Sequence, residues 1–290
     1  MSVAMALTNT LLAHSNKYAP GDDSHVKSDA PVPLSLRRRC TVETDSVAGI
    51  DVYTLTPKRG GADIEILYFH GGAYNAGMIT PHWWVIRSLI AATGATVHVP
   101  SYLLAPEHTA DEAYPSLDAV TDDVLLAAGS RRVVFAGDSA GGGIALAEAQ
   151  RCRDRAGRNA DHLVLFSPWV DVTMENPAAR EVQKRDVSLN CDLLAAAGLW
   201  WAGDRDPSDP LISPANADLA DLPPMTVVQG GRDVLAPDVI DLVGKVRDAG
   251  GSVHLEEAAE GFHVYVAGWW TPEARRALRL AAQGIRGDGK

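Results

Sequence analysis

Residues 135–143 read F-A-G-D-S-A-G-G-G. Within them, Gly137-Asp138-Ser139-Ala140-Gly141 fits the pattern G-x-S-x-G, in which a serine sits on a very tight turn from strand to helix. Small neighbours let such a turn approach adjacent backbone. The run R-V-V-F-A-G (132–137) before it reads as a strand, and G-G-I-A-L-A-E-A-Q (142–150) after it as a helix. A helix start at that point places backbone N–H groups and a positive dipole end beside the hydroxyl. The same nine residues also suit a glycine-rich loop that merely lets strand pack on helix. The rest of the chain decides between the two.

From residue 36 onward, short β-rich runs alternate with longer helical ones, the pattern of a largely parallel sheet covered on both faces. Strands are expected at 37–44, 50–55, 64–69, 95–100, 132–137, 162–167, 225–230 and 252–257. The first two form an antiparallel edge pair. Helices are expected at about 81–92, 115–128, 140–155, 236–249 and 272–284. The last opens with Thr271-Pro272, a cap residue followed by proline at the first helical position. Residues 1–35 are polar and turn-rich, with Pro20-Gly21, Pro31 and Pro33. The interval between about 168 and 224 is too long for a simple crossover. It includes the helical stretch 192–202 and reads as an insertion over the sheet's C-terminal edge, where open α/β folds bind ligands.

Three further features fall at strand ends. F-H-G-G-A-Y (69–74) follows one strand, and the N–H groups of Gly71 and Gly72, with that of Ala140, suit a developing oxyanion. His70 is expected to orient this loop, with a role as base as the alternative. Asp233, at the end of M-T-V-V-Q-G-G-R-D, is placed to hold an imidazole in one tautomer; a helix-capping role competes, as do Asp238 and Asp241 in the following helix. His263, in E-G-F-H (260–263), alone among the nine histidines combines a post-strand loop, a nearby glycine and a position after the acid. The order Ser139, Asp233, His263 is that of an α/β-hydrolase triad.

Composition excludes several classes. The net charge of −11, from 26 basic and 37 acidic residues, argues against nucleic acid or an anionic membrane as partner. Arg37-Arg38-Arg39 is too short a run to reverse that and reads as a solvated strand edge. The three cysteines, Cys40, Cys152 and Cys191, are far apart and offer no metal spacing, which fits reduced thiols in a cytoplasm. The first residues read as an amphipathic segment rather than a signal peptide, and no apolar run is long enough to span a bilayer.

Taken together, the chain resembles the hormone-sensitive-lipase-like branch of α/β-hydrolase esterases. H-G-G-A-Y (70–74) is similar to that family's H-G-G-[GA]-[FY], and G-D-S-A-G-G (137–142) matches its nucleophile motif. Y-L-L-A-P-E-H (102–108) resembles Y-R-L-A-P-E-H, with Leu103 in place of the arginine, and S-P-W-V-D (167–171) and D-P-L (209–211) are further matches. The resemblance implies one domain over 1–290, an eight-stranded mostly parallel sheet flanked by helices, and a small helical cap from about 1–35 and 172–218. It implies hydrolysis of small acyl esters without metal or cofactor. His70, Asp138 and Glu107 are the supporting residues expected from it.

Six of the seven tryptophans come in pairs. Tyr74, Trp83 and Trp84 near the oxyanion loop, and Trp200 and Trp201 in the insertion, are expected to narrow an acyl pocket to acetyl through about hexanoyl chains. The functional expectation is a cytoplasmic serine carboxylesterase, with no stable membrane anchoring and a homodimer through the last strand as one arrangement. A dedicated metabolite O- or N-deacetylase is the alternative, with an acyltransferase or a non-catalytic receptor ranked below it.

Overall fold

The computed structural model describes residues 1–13 and 28–288; the Pro20-Gly21 turn lies outside them. Eight strands form one sheet: β1 (Cys40–Val47), β2 (Ile50–Pro57), β3 (Ile64–Phe69), β4 (Thr96–Pro100), β5 (Arg132–Asp138), β6 (His162–Phe166), β7 (Met225–Gly230) and β8 (Val253–Ala258). Their order is β1-β2-β4-β3-β5-β6-β7-β8. β1 and β2 pair antiparallel, β2 joins β4 antiparallel, and every pair from β4 to β8 is parallel. β3, β5, β6 and β7 are almost wholly buried, as strands covered on both faces must be. All of the loops expected to carry chemistry therefore leave one edge of the sheet.

The described helices are α1 (Val3–Ala13), α2 (Leu34–Arg39), α3 (Thr80–Thr93), α4 (Ala110–Ala128), α5 (Ala140–Asp154), α6 (Pro177–Gln183), α7 (Cys191–Ala202), α8 (Ala236–Asp248) and α9 (Pro272–Arg286). They bury two cores, one on each side of the sheet. Leu117, Ile144, Leu194 and Val239 from α4, α5, α7 and α8 belong to one, while Met5, Leu36, Ile86 and Ala277 from α1, α2, α3 and α9 belong to the other.

Three differences from the sequence expectation have physical causes. Arg37-Arg38-Arg39 ends a short helix instead of edging a strand; the turn buries only Leu36 and leaves the arginines exposed. α4 starts at Ala110, before Pro115, because the Glu112 carboxylate accepts the otherwise unpaired N–H of Thr109 at 2.8 Å. That reciprocal cap offsets the backbone bond Pro115 cannot make. The N-terminal residues form α1 and are fastened to the body: Ser2 N–H and Oγ–H donate to Glu273 at 2.7 Å, and Asn9 Nδ2 donates to the Glu260 carbonyl at 2.9 Å.

Candidate active site

Ser139 stands between β5 and α5 with φ 53° and ψ −124°, a conformation that a side chain rarely adopts. The surroundings over-determine it. Its N–H donates to the Phe166 carbonyl at 2.9 Å, and its own carbonyl accepts from Gly142 at 3.0 Å and Trp169 at 2.8 Å. The glycines are needed for approach: a methyl on Gly141 would overlap the carbonyl of Phe69, and one on Gly137 would overlap Gly141 backbone. Ala140 is the first residue of α5, so its N–H has no partner within the helix.

Asp233 is fully buried after β7. Its Oδ2 accepts from Nδ1 of His263 at 2.8 Å and from Gln229 Nε2 at 3.0 Å, while Oδ1 accepts from the Leu235 N–H at 3.0 Å. Because the carboxylate only accepts, Nδ1 of His263 carries the proton and Nε2 is left as the acceptor. Burial pushes the imidazole pKa down. The charge and hydrogen bond of Asp233, with Asp186 and Asp138 beyond it, outweigh that and raise it above the ordinary histidine value. The loops bearing acid and histidine touch directly: Arg232 N–H donates to the Gly261 carbonyl at 2.9 Å, and Arg232 Nε pairs with Glu260 at 2.6 Å.

Asp138, one residue before the serine, is buried and ties the H-G-G loop to the turn. Its Oδ1 accepts from the Tyr68 hydroxyl at 2.6 Å and from the Gly71 N–H at 3.2 Å, and Oδ2 lies 3.4 Å from His82 Nε2. The Gly71 N–H is thus engaged with Asp138, where the sequence alone suggests a free donor. Gly72, at φ 124°, lines the cavity beside the serine. His70 donates from Nδ1 to the Gly71 carbonyl at 2.7 Å and stacks on Tyr102. Burial, with His82 nearby, lowers its pKa to about 4. The ring is bonded to its own loop and sits outside the cavity lining.

Ser139 and His263 line one cavity of about 510 Å³, whose walls are mainly apolar. Trp84 is in that wall. Tyr74, Trp83, Trp200 and Trp201 are not, and three of them are core. Tyr74 stacks between Trp169 and Trp201 at 5.3 and 4.5 Å, and Trp83 packs edge-on to Tyr53 and donates to the Ala30 carbonyl. Large flat rings gain most from full burial, and here that is achieved beneath the loops. Trp200 is half-buried against the same core as Trp201. Glu107 is exposed between β4 and α4 and is not among the residues lining the cavity, whereas Asp138 bonds Tyr68 and the H-G-G loop beside the Ser139 turn. Asp238 and Asp241 lie in α8, where Asn176 Nδ2 donates to both.

Sequence reasoning missed part of the wall: Thr8 and Leu12 from α1, Ser188 and Leu189 ahead of α7, and Trp270 before α9. It also missed Ser167, whose Oγ accepts from the Val264 N–H at 3.0 Å and so pins the His263 loop. Ser167 was visible as the first letter of S-P-W-V-D; its task was not. His82 lies beyond the H-G-G loop in the first turn of α3, with nothing in its neighbours to mark it.

A family model described as alpha/beta hydrolase fold matches residues 66–267. The chain belongs to the α/β-hydrolase family. Among this hydrolase's relatives is an acetyl-hydrolase of Streptomyces hygroscopicus, 37% identical over 76% of this chain and 75% of the relative. An esterase of Acinetobacter venetianus is 33% identical, covering 75% and 73%. Among solved structures, a hormone-sensitive lipase from a metagenome library superposes with a TM-score of 0.85 at 27% identity, over 98% of this chain and 96% of the other. An esterase from the bacterial hormone-sensitive lipase family superposes at 0.86 with 25% identity, over 99% and 98%. The hydrolase therefore falls in the hormone-sensitive-lipase-like esterase branch and is an enzyme of that kind. Among the described residues, no helix is long and apolar enough to cross a membrane.

Proposed function

We propose that this hydrolase is a serine carboxylesterase in which Ser139 attacks a short-chain acyl ester, His263 is the general base and Asp233 orients it. The observation that carries the reading is the 2.8 Å bond from His263 Nδ1 to the buried Asp233 carboxylate, in a cavity that also holds the strained Ser139. Nε2 takes the Ser139 proton as Oγ bonds to the ester carbonyl carbon, and Asp233 stabilises the imidazolium. The oxyanion is held by the N–H groups of Gly72 and Ala140, with Gly71 shared between it and Asp138. The imidazolium then protonates the departing alkoxide. Water, deprotonated by the same histidine, releases the acid and restores the serine.

The cap of this single-domain enzyme comprises α1 with the segment around α6 and α7, in keeping with the cavity positions of Thr8, Leu12, Ser188 and Leu194. A preference for acetyl to about hexanoyl chains now rests on Trp84 and Trp270 in the wall instead of the buried aromatics. Reduced, buried Cys40, Cys152 and Cys191 are in keeping with a cytoplasmic location. β8 edges the sheet and offers a surface for a homodimer; light scattering at a monomer mass would dismiss that arrangement.

The test is turnover of p-nitrophenyl esters from acetate to decanoate by the wild type and by Ser139→Ala. Loss of turnover in a folded variant, with the wild type fastest on short chains, is expected. Retained turnover would sink the assignment of the nucleophile. A second reading, a dedicated deacetylase, is favoured by the relative named acetyl-hydrolase. It predicts kcat/KM on one acetylated metabolite far above that on any p-nitrophenyl ester.

A further inference from the structure

Behind the Asp233–His263 pair lies a second buried carboxylate. Asp186 is 2% exposed and sits in the turn that follows α6. Its Oδ1 accepts from the N–H groups of Ser188 and Leu189 at 2.8 and 2.9 Å and from Ser188 Oγ at 3.2 Å. Its Oδ2 accepts from the N–H of Val234, the residue after Asp233, at 2.9 Å. Three backbone N–H groups that can only donate take up both oxygens, a partner set that favours an ionised carboxylate, while the Ser188 hydroxyl can serve either form.

This places one side chain on two parts of the site at once. Ser188 and Leu189 line the cavity, and Val234 belongs to the loop that presents the acid. An amide of the same shape would present N–H either to Val234 or to Ser188 and Leu189 and could not accept from all three; a carboxylate can, at the cost of burying a charge beside another carboxylate. What a charge adds is a field at the imidazole. The groups facing this position are Asp233 from the loop after β7, Cys191 at the start of α7 and His263 from the loop after β8. Asp138 at the end of β5 faces the same histidine. Burial, then Asp233, push the Asp186 carboxyl pKa upward, and the backbone N–H groups of Leu189, Ser188 and Val234 pull it back.

We propose that Asp186 is a positioning residue for the catalytic pair: it fastens the cavity wall at Ser188–Leu189 to the Asp233 loop and adds its negative charge to that of Asp233 on His263. The proposal rests on the roles assigned above to Asp233 and His263. Acylation needs neutral His263, so the acid limb of kcat/KM follows the imidazole. Removing a nearby negative charge lowers that pKa and moves the limb to lower pH, so that the variant keeps relatively more of its activity in acid.

The experiment compares wild type, Asp186→Asn and Asp186→Glu in kcat/KM against pH on p-nitrophenyl acetate, with active sites counted by fluorophosphonate. The asparagine variant is expected to shift its acid limb downward by about half a pH unit or more, while the glutamate variant, which keeps the charge, stays near wild type. A folded asparagine variant with an unmoved limb overturns the proposal, as does an equal shift in both variants, since loss of anchoring alone would not discriminate them. If the asparagine variant does not fold, the wild type supplies the test. The Asp186 carboxyl carbon, assigned by NMR, is expected to read as ionised at pH 7 and to shift in step with the His263 titration. A flat or protonated carbon contradicts the proposal. Failure of the underlying triad is distinct: the wild type itself would then show no Ser139-dependent turnover.

Discussion

The Gly71 N–H donates to the carboxylate of Asp138, the residue that precedes Ser139, at 3.2 Å. One buried acid thereby couples the H-G-G loop to the turn that carries Ser139. Burial opposes its charge, yet His82, its hydrogen bond, the Tyr68 hydroxyl and His70 hold its pKa below the usual aspartate value. In Asp138→Asn the amide presents N–H to at least one of these donors, and the loop is released. Because oxyanion donors act mainly in the transition state, kcat is expected to fall roughly 10- to 100-fold with KM little changed. Steady-state kinetics on p-nitrophenyl acetate check this. A change confined to KM would show that Asp138 shapes substrate binding instead.

With His263 as the proposed base, its raised pKa is expected to set the pH dependence of the wild type. Burial lowers it, and Asp233 with the farther carboxylates more than reverses that. The base must be unprotonated to accept from Ser139, so kcat/KM should rise with pH through a midpoint above about 6.5, the ordinary histidine value. Asp233→Asn removes both charge and tautomer control and should lower kcat by about 10⁴. A pH–rate profile with its midpoint below 6 would contradict this assignment of forces.

Trp84 and Trp201 belong to different classes despite similar sequence settings. Trp84 lines the cavity and meets Trp270 edge-on at 6.1 Å, so Trp84→Ala and Trp270→Ala should move the preferred acyl chain to longer lengths with little loss of stability. Trp201 is fully buried and stacked on Tyr74. Trp201→Ala should instead cost about 3–5 kcal/mol of stability. Chain-length profiles and chemical denaturation separate the two outcomes.

Glu148, buried in α5, has its carboxyl pKa pushed up to about 8 by burial and by Asp118; Thr121 Oγ1 donates to it at 2.8 Å. The folded state therefore keeps a proton that the unfolded chain loses near 4.5. Its contribution is fully present below that unfolded value and is lost as pH rises through about 8. Glu148→Gln keeps a neutral side chain throughout. Its melting temperature relative to wild type should rise between pH 5 and pH 8, and a difference that is constant with pH would show that Glu148 is already ionised in the folded enzyme.

The central sheet was legible because β3, β5, β6 and β7 are covered on both faces and so read as short, mostly apolar runs, broken only by single polar residues such as Glu65 and Gln229. The strand-end residues were legible for a related reason. Tight turns at those ends demand glycines, and Gly137, Gly141, Gly230 and Gly261 all pack against backbone. The pocket was not legible. Tryptophan pairs look alike in sequence whether a ring faces a core or a cavity, and only the packing of Tyr74 on Trp201 separates them. α1 carries no pattern that ties it to the cavity; its place is fixed by Ser2, Asn9 and their partners more than 250 residues away. Asp186 was hidden for the same reason, since its partner Val234 is remote in the chain.

The central claim is that Ser139 is the nucleophile, and active-site labelling tests it most directly. The folded enzyme is treated with a fluorophosphonate, digested, and mapped by mass spectrometry. The account predicts one equivalent of label on the peptide containing Ser139, none in His263→Ala under the same exposure, and loss of ester turnover in proportion to labelling. Label on another serine with Ser139 unmodified, or full turnover after Ser139 is labelled, would contradict it.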